Sequence, residues 1–127
     1  MATIGTIAWC DLTIPEAEKV RDFYRDVVGW TSSVVNMGDY SDYSMSPLQG
    51  DPVAGICHAR GANAKIPPQW LVYITVADLN ASVMRSKELG GSVVDGPRSL
   101  GSYGTMAVIK DPAGAVCAIV EPLAEQT

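Results

Sequence analysis

The sequence predicts an α+β fold: two tandem β-α-β-β-β modules whose eight strands form a strongly curved mixed sheet around a central cavity, with the helices on the outer face. Two observations predict it. The same order of strand, helix and three further strands is signalled twice along the chain, and the two runs align residue on residue with almost no drift. A length of 127 residues suits one domain, with module 1 over about 3–59, a linker over 60–69 and module 2 over about 70–122.

The first module opens with alternation from Thr6 to Ile14. At Thr13-Ile14-Pro15-Glu16 the pattern reads as a helix start, with Thr13 as cap and Glu16 three residues on. Ala17, Val20, Phe23, Val27 and Val28 then recur at helical spacing, and Gly29 is a stop before the extended segment from Trp30. Thr31 to Val35, Tyr40 to Ser46 and Val53 to Ala59 read as strands, separated by turn residues at Gly38-Asp39 and Pro47 to Pro52. Arg60 to Gln69, rich in Gly, Ala, Asn and Pro, is the linker.

The second module repeats the order. Trp70 to Val76 is a strand, Asp78 caps a helix to Leu89, and Gly90-Gly91 stops it. Ser92 to Val94 and Tyr103 to Ile109 are extended, Asp111-Pro112-Ala113-Gly114 turns, and Ala115 to Glu121 is the last strand. Trp9 falls on Leu71, Ile14 on Val76, Gly29 on Gly90, Tyr40 on Tyr103, and Gly55-Ile56 on Ala118-Ile119. Strand parity then sorts side chains. Cys10, Leu12 and Ile14 meet the first helix, leaving Trp9, Asp11 and Thr13 toward the cavity. Val72, Ile74 and Val76 meet the second, leaving Leu71, Tyr73 and Thr75 inside.

Composition narrows the function. Hydrophobic residues make up 47% and charged ones 18%, a globular balance, and the net charge of -5 disfavours nucleic acid and acidic membranes as partners. No basic-then-apolar leader and no apolar run of membrane-spanning length is visible, and three widely spaced cysteines, Cys10, Cys57 and Cys117, fit a reducing compartment; a cytoplasmic protein is expected.

Phe23-Tyr24 with Val27-Val28-Gly29-Trp30, Tyr73-Ile74-Thr75-Val76-Ala77-Asp78-Leu79 with Leu89-Gly90-Gly91, and Asp111-Pro112-Ala113-Gly114 together resemble the vicinal oxygen chelate superfamily of glyoxalases, bleomycin-resistance proteins and ring-cleaving dioxygenases. The resemblance spans nearly the whole chain. It implies a pocket for a small molecule and a homodimer. In enzymes of that superfamily a divalent metal is held by His, Gln or Glu at four inward positions, which fall here on Trp9, Gly55, Leu71 and Ala118. None of these side chains offers a suitable oxygen or imidazole nitrogen, so a pocket without metal or other cofactor is expected.

The ligand-binding candidates are therefore Trp9, Asp11, Gly55, Cys57, Leu71, Tyr73, Tyr103 and Ala118, and no catalytic residue is assigned. Asp11, inward among apolar neighbours, either anchors a ligand or hydrogen-bonds within the protein. Trp9 and Tyr73 offer flat walls for planar or cationic molecules, with Tyr40, Tyr43 and Tyr103 as possible additions. Cys57 reads as an inert thiol, because no basic neighbour lowers its pKa. His58, the single histidine, and Glu121 occupy matching places in the two modules; a hydrogen-bonded structural role is the plainer reading, an unusual metal or proton-transfer site the other. A divergent enzyme of the superfamily is the alternative to a binding protein.

Overall fold

A computed structural model describes residues 3–124. Among them are eight strands and two α-helices, in the order β1 (Ile7–Ile14), α1 (Ala17–Val28), β2 (Thr31–Asn36), β3 (Ser41–Ser46), β4 (Ala54–His58), β5 (Trp70–Thr75), α2 (Leu79–Glu88), β6 (Ser92–Ser99), β7 (Thr105–Lys110) and β8 (Val116–Glu121). The α+β class and the doubled β-α-β-β-β order are as the sequence predicts. The chain divides into two compact units, one of residues 9–70 and one of residues 71–124 with the N-terminal residues 3–8.

In the first unit the strand order is β2-β3-β4-β1. β1 runs parallel to β4, pairing Asp11 with Gly55 and Thr13 with Cys57, while β3 is antiparallel to both β2 and β4. Because side chains alternate, Leu12, Ile14, Tyr43, Met45 and Ile56 take one face and Trp9, Asp11, Thr13, Ser44, Gly55 and Cys57 the other. α1 packs on the first of these faces: Ala17, Val20 and Tyr24 meet Ile14, Tyr43, Met45 and Ile56, with Trp30 and Trp70 alongside. The Trp70 indole N–H donates to the Tyr24 hydroxyl at 3.0 Å, which satisfies both polar atoms in an aromatic cluster.

Two details of α1 depart from the sequence reading. Thr13 does not cap it; Thr13 is a buried β1 residue, and Glu16 takes the cap position without a side-chain hydrogen bond. The inward stripe is Ala17, Val20 and Tyr24, so Phe23 and Val27 face outward at 55% and 61% exposure. The helix stops where expected: Gly29 adopts φ 78°, a conformation costly for other residues, and its N–H closes on the Arg25 carbonyl at 3.0 Å.

The second unit repeats the design with order β5-β8-β7-β6. β5 runs parallel to β8, pairing Tyr73 with Ala118 as β1 pairs Asp11 with Gly55, and β7 is antiparallel to β8 and β6. Leu79 and Val83 of α2 pack on Ala107 and Ile119, with Val76, Val93 and Ile109 around them. Asp78 caps α2 as predicted, accepting from the Ala81 N–H at 3.1 Å. Asp111 Oδ1 accepts from the N–H groups of Ala113 and Ala115, which builds the expected turn. β6 is longer than the three residues predicted. β6 is the edge strand of its order, where a proline is tolerated, and it runs past Gly96-Pro97 with a register shift between Asp95 and Arg98 and another before Asp95.

Candidate functional site

Asp11 is the centre of the polar face in the first module. Its carboxylate Oδ1 accepts the Trp9 indole N–H at 2.6 Å, a short charge-assisted bond that fixes both side chains. It lies across β4 at Gly55. A Cβ built at Gly55 would collide with Asp11 Oδ1 and come within 3.5 Å of Trp9 Nε1, so glycine is what lets the carboxylate occupy this place. Thr13, Ser44 and Cys57 continue the same face along β1, β3 and β4. The result is an indole surface beside a fixed negative charge on a wall of small polar groups.

Cys57 is not poised as a nucleophile. Burial pushes its thiol well above the ordinary range, and the negative charges of Asp11 and Asp42, with a hydrogen bond to Asp42, push it further the same way. Cys10 is raised as well, by burial and by Asp11.

The second module's equivalent face has a different character. Leu71, Ala118, Met106 and Val108 are fully buried and Tyr73 is 8% exposed, so the candidates Leu71, Tyr73 and Ala118 share an apolar face turned away from α2. Tyr103 is not on this face. β7 begins at Thr105 rather than at Tyr103, which sits in a short 3-10 turn over Gly101–Tyr103 at 77% exposure. Gly104, at φ 108°, separates the turn from the strand. A shallow cleft of about 250 Å³, which sequence reasoning missed, opens beside α2 between Leu79, Asn80, Pro97, Arg98, Thr105 and Glu121. One of its walls, Pro97 and Arg98, comes from β6 beyond the predicted end of that strand.

His58 and Glu121 each work within their own module. His58 lies between Asp42 of β3 and Glu18 of α1, and Glu121 accepts the N–H of Leu79, the first residue of α2, at 2.8 Å. Among the described residues no group of three or more His, Cys, Asp or Glu side chains is arranged to hold a metal ion. The two positions on the first module, Trp9 and Gly55, do not fit one either: the indole nitrogen carries a proton, and the space beside Gly55 is taken by Asp11.

The profile of the Glyoxalase/Bleomycin resistance protein/Dioxygenase superfamily matches residues 6–119. The chain belongs to that superfamily. Its similarity to named proteins extends over most of its length. It is 30% identical over 122 residues to CFP32 of Mycobacterium tuberculosis, which carries a provisional glyoxylase name, covering 96% of this chain and 46% of that protein. It is 31% identical over 127 residues to the anthracycline biosynthesis protein DnrV of Streptomyces peucetius, covering 91% and 46%. The chain thus spans less than half the length of these relatives. Among solved structures, methylmalonyl-CoA epimerase from Mycobacterium tuberculosis aligns at a TM-score of 0.57 with 17% identity, covering 98% of this chain and 94% of that one. A methylmalonyl-CoA epimerase in complex with methylmalonyl-CoA aligns at 0.58 with 15% identity, covering 98% and 99%. At such identities the likeness shows a shared fold.

Proposed function

We propose that the chain binds a small molecule on the first module's polar face, without a metal ion or other cofactor, through Trp9, Asp11, Gly55 and Cys57. The observation that carries this reading is the Asp11 carboxylate, fixed by the Trp9 indole N–H and admitted only because residue 55 is glycine. A carboxylate accepts several hydrogen bonds at once, so contacts within the protein do not prevent Asp11 from accepting from a ligand's donor or cationic group. The Trp9 ring supplies area for a planar ligand, and the combination favours an aromatic or cationic molecule. Burial of Cys57 makes it a wall group in this reading.

A divergent enzyme of the same superfamily is the second reading, favoured by the epimerase and glyoxylase names among the similar proteins. In it Asp11 is the proton acceptor. A thermal-shift screen of small aromatic cations and neutral aromatics, each hit then followed for product formation, separates the two: stabilisation without turnover supports binding, and turnover supports the enzyme. Metal analysis of protein purified without chelator belongs beside it, and about one equivalent of tightly held metal would overturn the metal-free part.

A homodimer in the cytoplasm completes the proposal. Phe23 and Val27 on α1 and Val34 on β2, at 55%, 61% and 69% exposure, are apolar side chains that a second copy would cover. Sedimentation of the full chain at micromolar concentration is expected to give twice the mass of one chain, and a monomer would remove this part. Free thiols at all three cysteines suit a reducing compartment. Among the described residues no helix is long and apolar enough to cross a membrane, and the negative net charge speaks against nucleic acid.

A further inference from the structure

Both ring nitrogens of His58 face carboxylate oxygens. Nδ1 lies 3.2 Å from Asp42 Oδ1, and Nε2 lies 3.1 Å and 2.9 Å from the two oxygens of Glu18. A neutral imidazole carries one N–H and one lone pair, so it satisfies one carboxylate and presents a lone pair to the other; only the imidazolium donates to both. The three groups come from three elements. Glu18 stands in the first turn of α1, Asp42 in β3 and His58 at the end of β4, and Asp42 Oδ1 also accepts the His58 backbone N–H at 2.9 Å, which holds the ring in place. The Tyr43 hydroxyl donates to Glu18 Oε2 at 2.6 Å and completes the connection between α1 and β3.

We propose that His58 is a protonation-dependent clasp that holds the start of α1 against β3 and β4 and opens as the imidazole loses its proton. The surrounding charges agree with this assignment. Glu18 faces the ring from α1 and Asp42 and Tyr43 from β3, while Tyr40, with Arg60 stacked on it at 4.1 Å, meets the ring edge-on; one contact further out, Arg21 lies over the Tyr43 ring at 4.6 Å and the Cys57 thiol is hydrogen-bonded to Asp42. Burial alone would lower the His58 pKa, but the hydrogen bonds to Glu18 and Asp42 outweigh it and the pKa rises. Glu18 is held below its ordinary value by its hydrogen bonds to Tyr43 and His58.

The signs fix the working range. A histidine whose folded pKa exceeds its unfolded value of about 6.5 contributes fully below that value and loses its contribution as pH rises through the folded pKa. Glu18, with a lowered pKa, contributes above its unfolded value and loses its contribution as pH falls through the lowered one. The clasp is therefore complete between these limits, and its upper edge is shifted upward from the ordinary histidine value.

The test is an NMR titration of the full chain from pH 5 to 9, following the His58 ring and the exchange of α1 amides corrected for intrinsic rates. The expected result is a His58 midpoint above about 6.5, with α1 protection falling several-fold across it. In His58→Gln, α1 protection is expected to be low and independent of pH over this range. If that variant does not fold, Glu18→Gln, at a half-exposed position, is expected to lower the His58 midpoint and α1 protection together. A His58 midpoint at or below the ordinary value, or the same pH response of α1 in wild type and variant, would overturn the clasp.

Discussion

Residue 55 shows how a missing atom shapes a site. Gly55 and Asp11 are paired neighbours on β4 and β1, and the absent Cβ is the space the Asp11 carboxylate fills. Gly55→Ala is expected to cost about 1–3 kcal/mol, typical of overpacking a buried position. The double variant Asp11→Ala/Gly55→Ala is expected to be more stable than the two single costs sum to, since the collision is gone. Denaturant unfolding of all four proteins checks this, and strictly additive costs would contradict it. At this scale the sequence was partly legible. Parity placed Asp11 and Trp9 on one face, but their hydrogen bond depends on rotamers that periodicity does not encode. Tyr103 was misplaced because a 3-10 turn and a strand start look alike beside Gly101 and Gly104.

At the scale of elements, each module ties the start of its helix to the end of its last strand. Glu121 accepts from the first residue of α2, and His58 reaches Glu18 in the first turn of α1. The aligned positions of His58 and Glu121 announced this symmetry in the sequence, although the partners were not visible there. The two helix starts differ in how they are capped. Asp78 caps α2 through its side chain, whereas α1 begins at Glu16 with no such bond and relies on Glu18, Tyr43 and His58. Asp78→Ala is therefore expected to destabilise by about 1 kcal/mol, read as a lower denaturation midpoint with an unchanged slope. A loss within about 0.3 kcal/mol of zero would mean that Glu121 alone secures α2, since ordinary cap losses are larger. Element boundaries followed the sequence closely at Gly29, Asp78 and Asp111, where a glycine or aspartate imposes the geometry. They failed at β6, where an edge strand tolerates a proline.

At the scale of the molecule, a doubled module has diverged into a polar face in one half and an apolar, buried face in the other. Thr13, Ser44 and Asp11 stand where the second module places Thr75, Val108 and Tyr73. The superfamily was legible from the repeat and its turn motifs, because those follow from backbone geometry that few residue types allow. The ligand was not, because it is chosen by the few side chains on one face, and the scaffold hosts many chemistries. The claim that this face binds the ligand, with Asp11 as its anchor, is tested most directly by amide chemical-shift mapping with the best-stabilising aromatic cation from the screen. Wild type and Asp11→Asn would be compared at equal stability. The account predicts shifts centred on Trp9, Asp11, Gly55 and Cys57, and at least about tenfold weaker binding by the variant, the ~1.4 kcal/mol expected of one charge-assisted contact. Shifts centred elsewhere, or equal affinity in the two proteins, would contradict it.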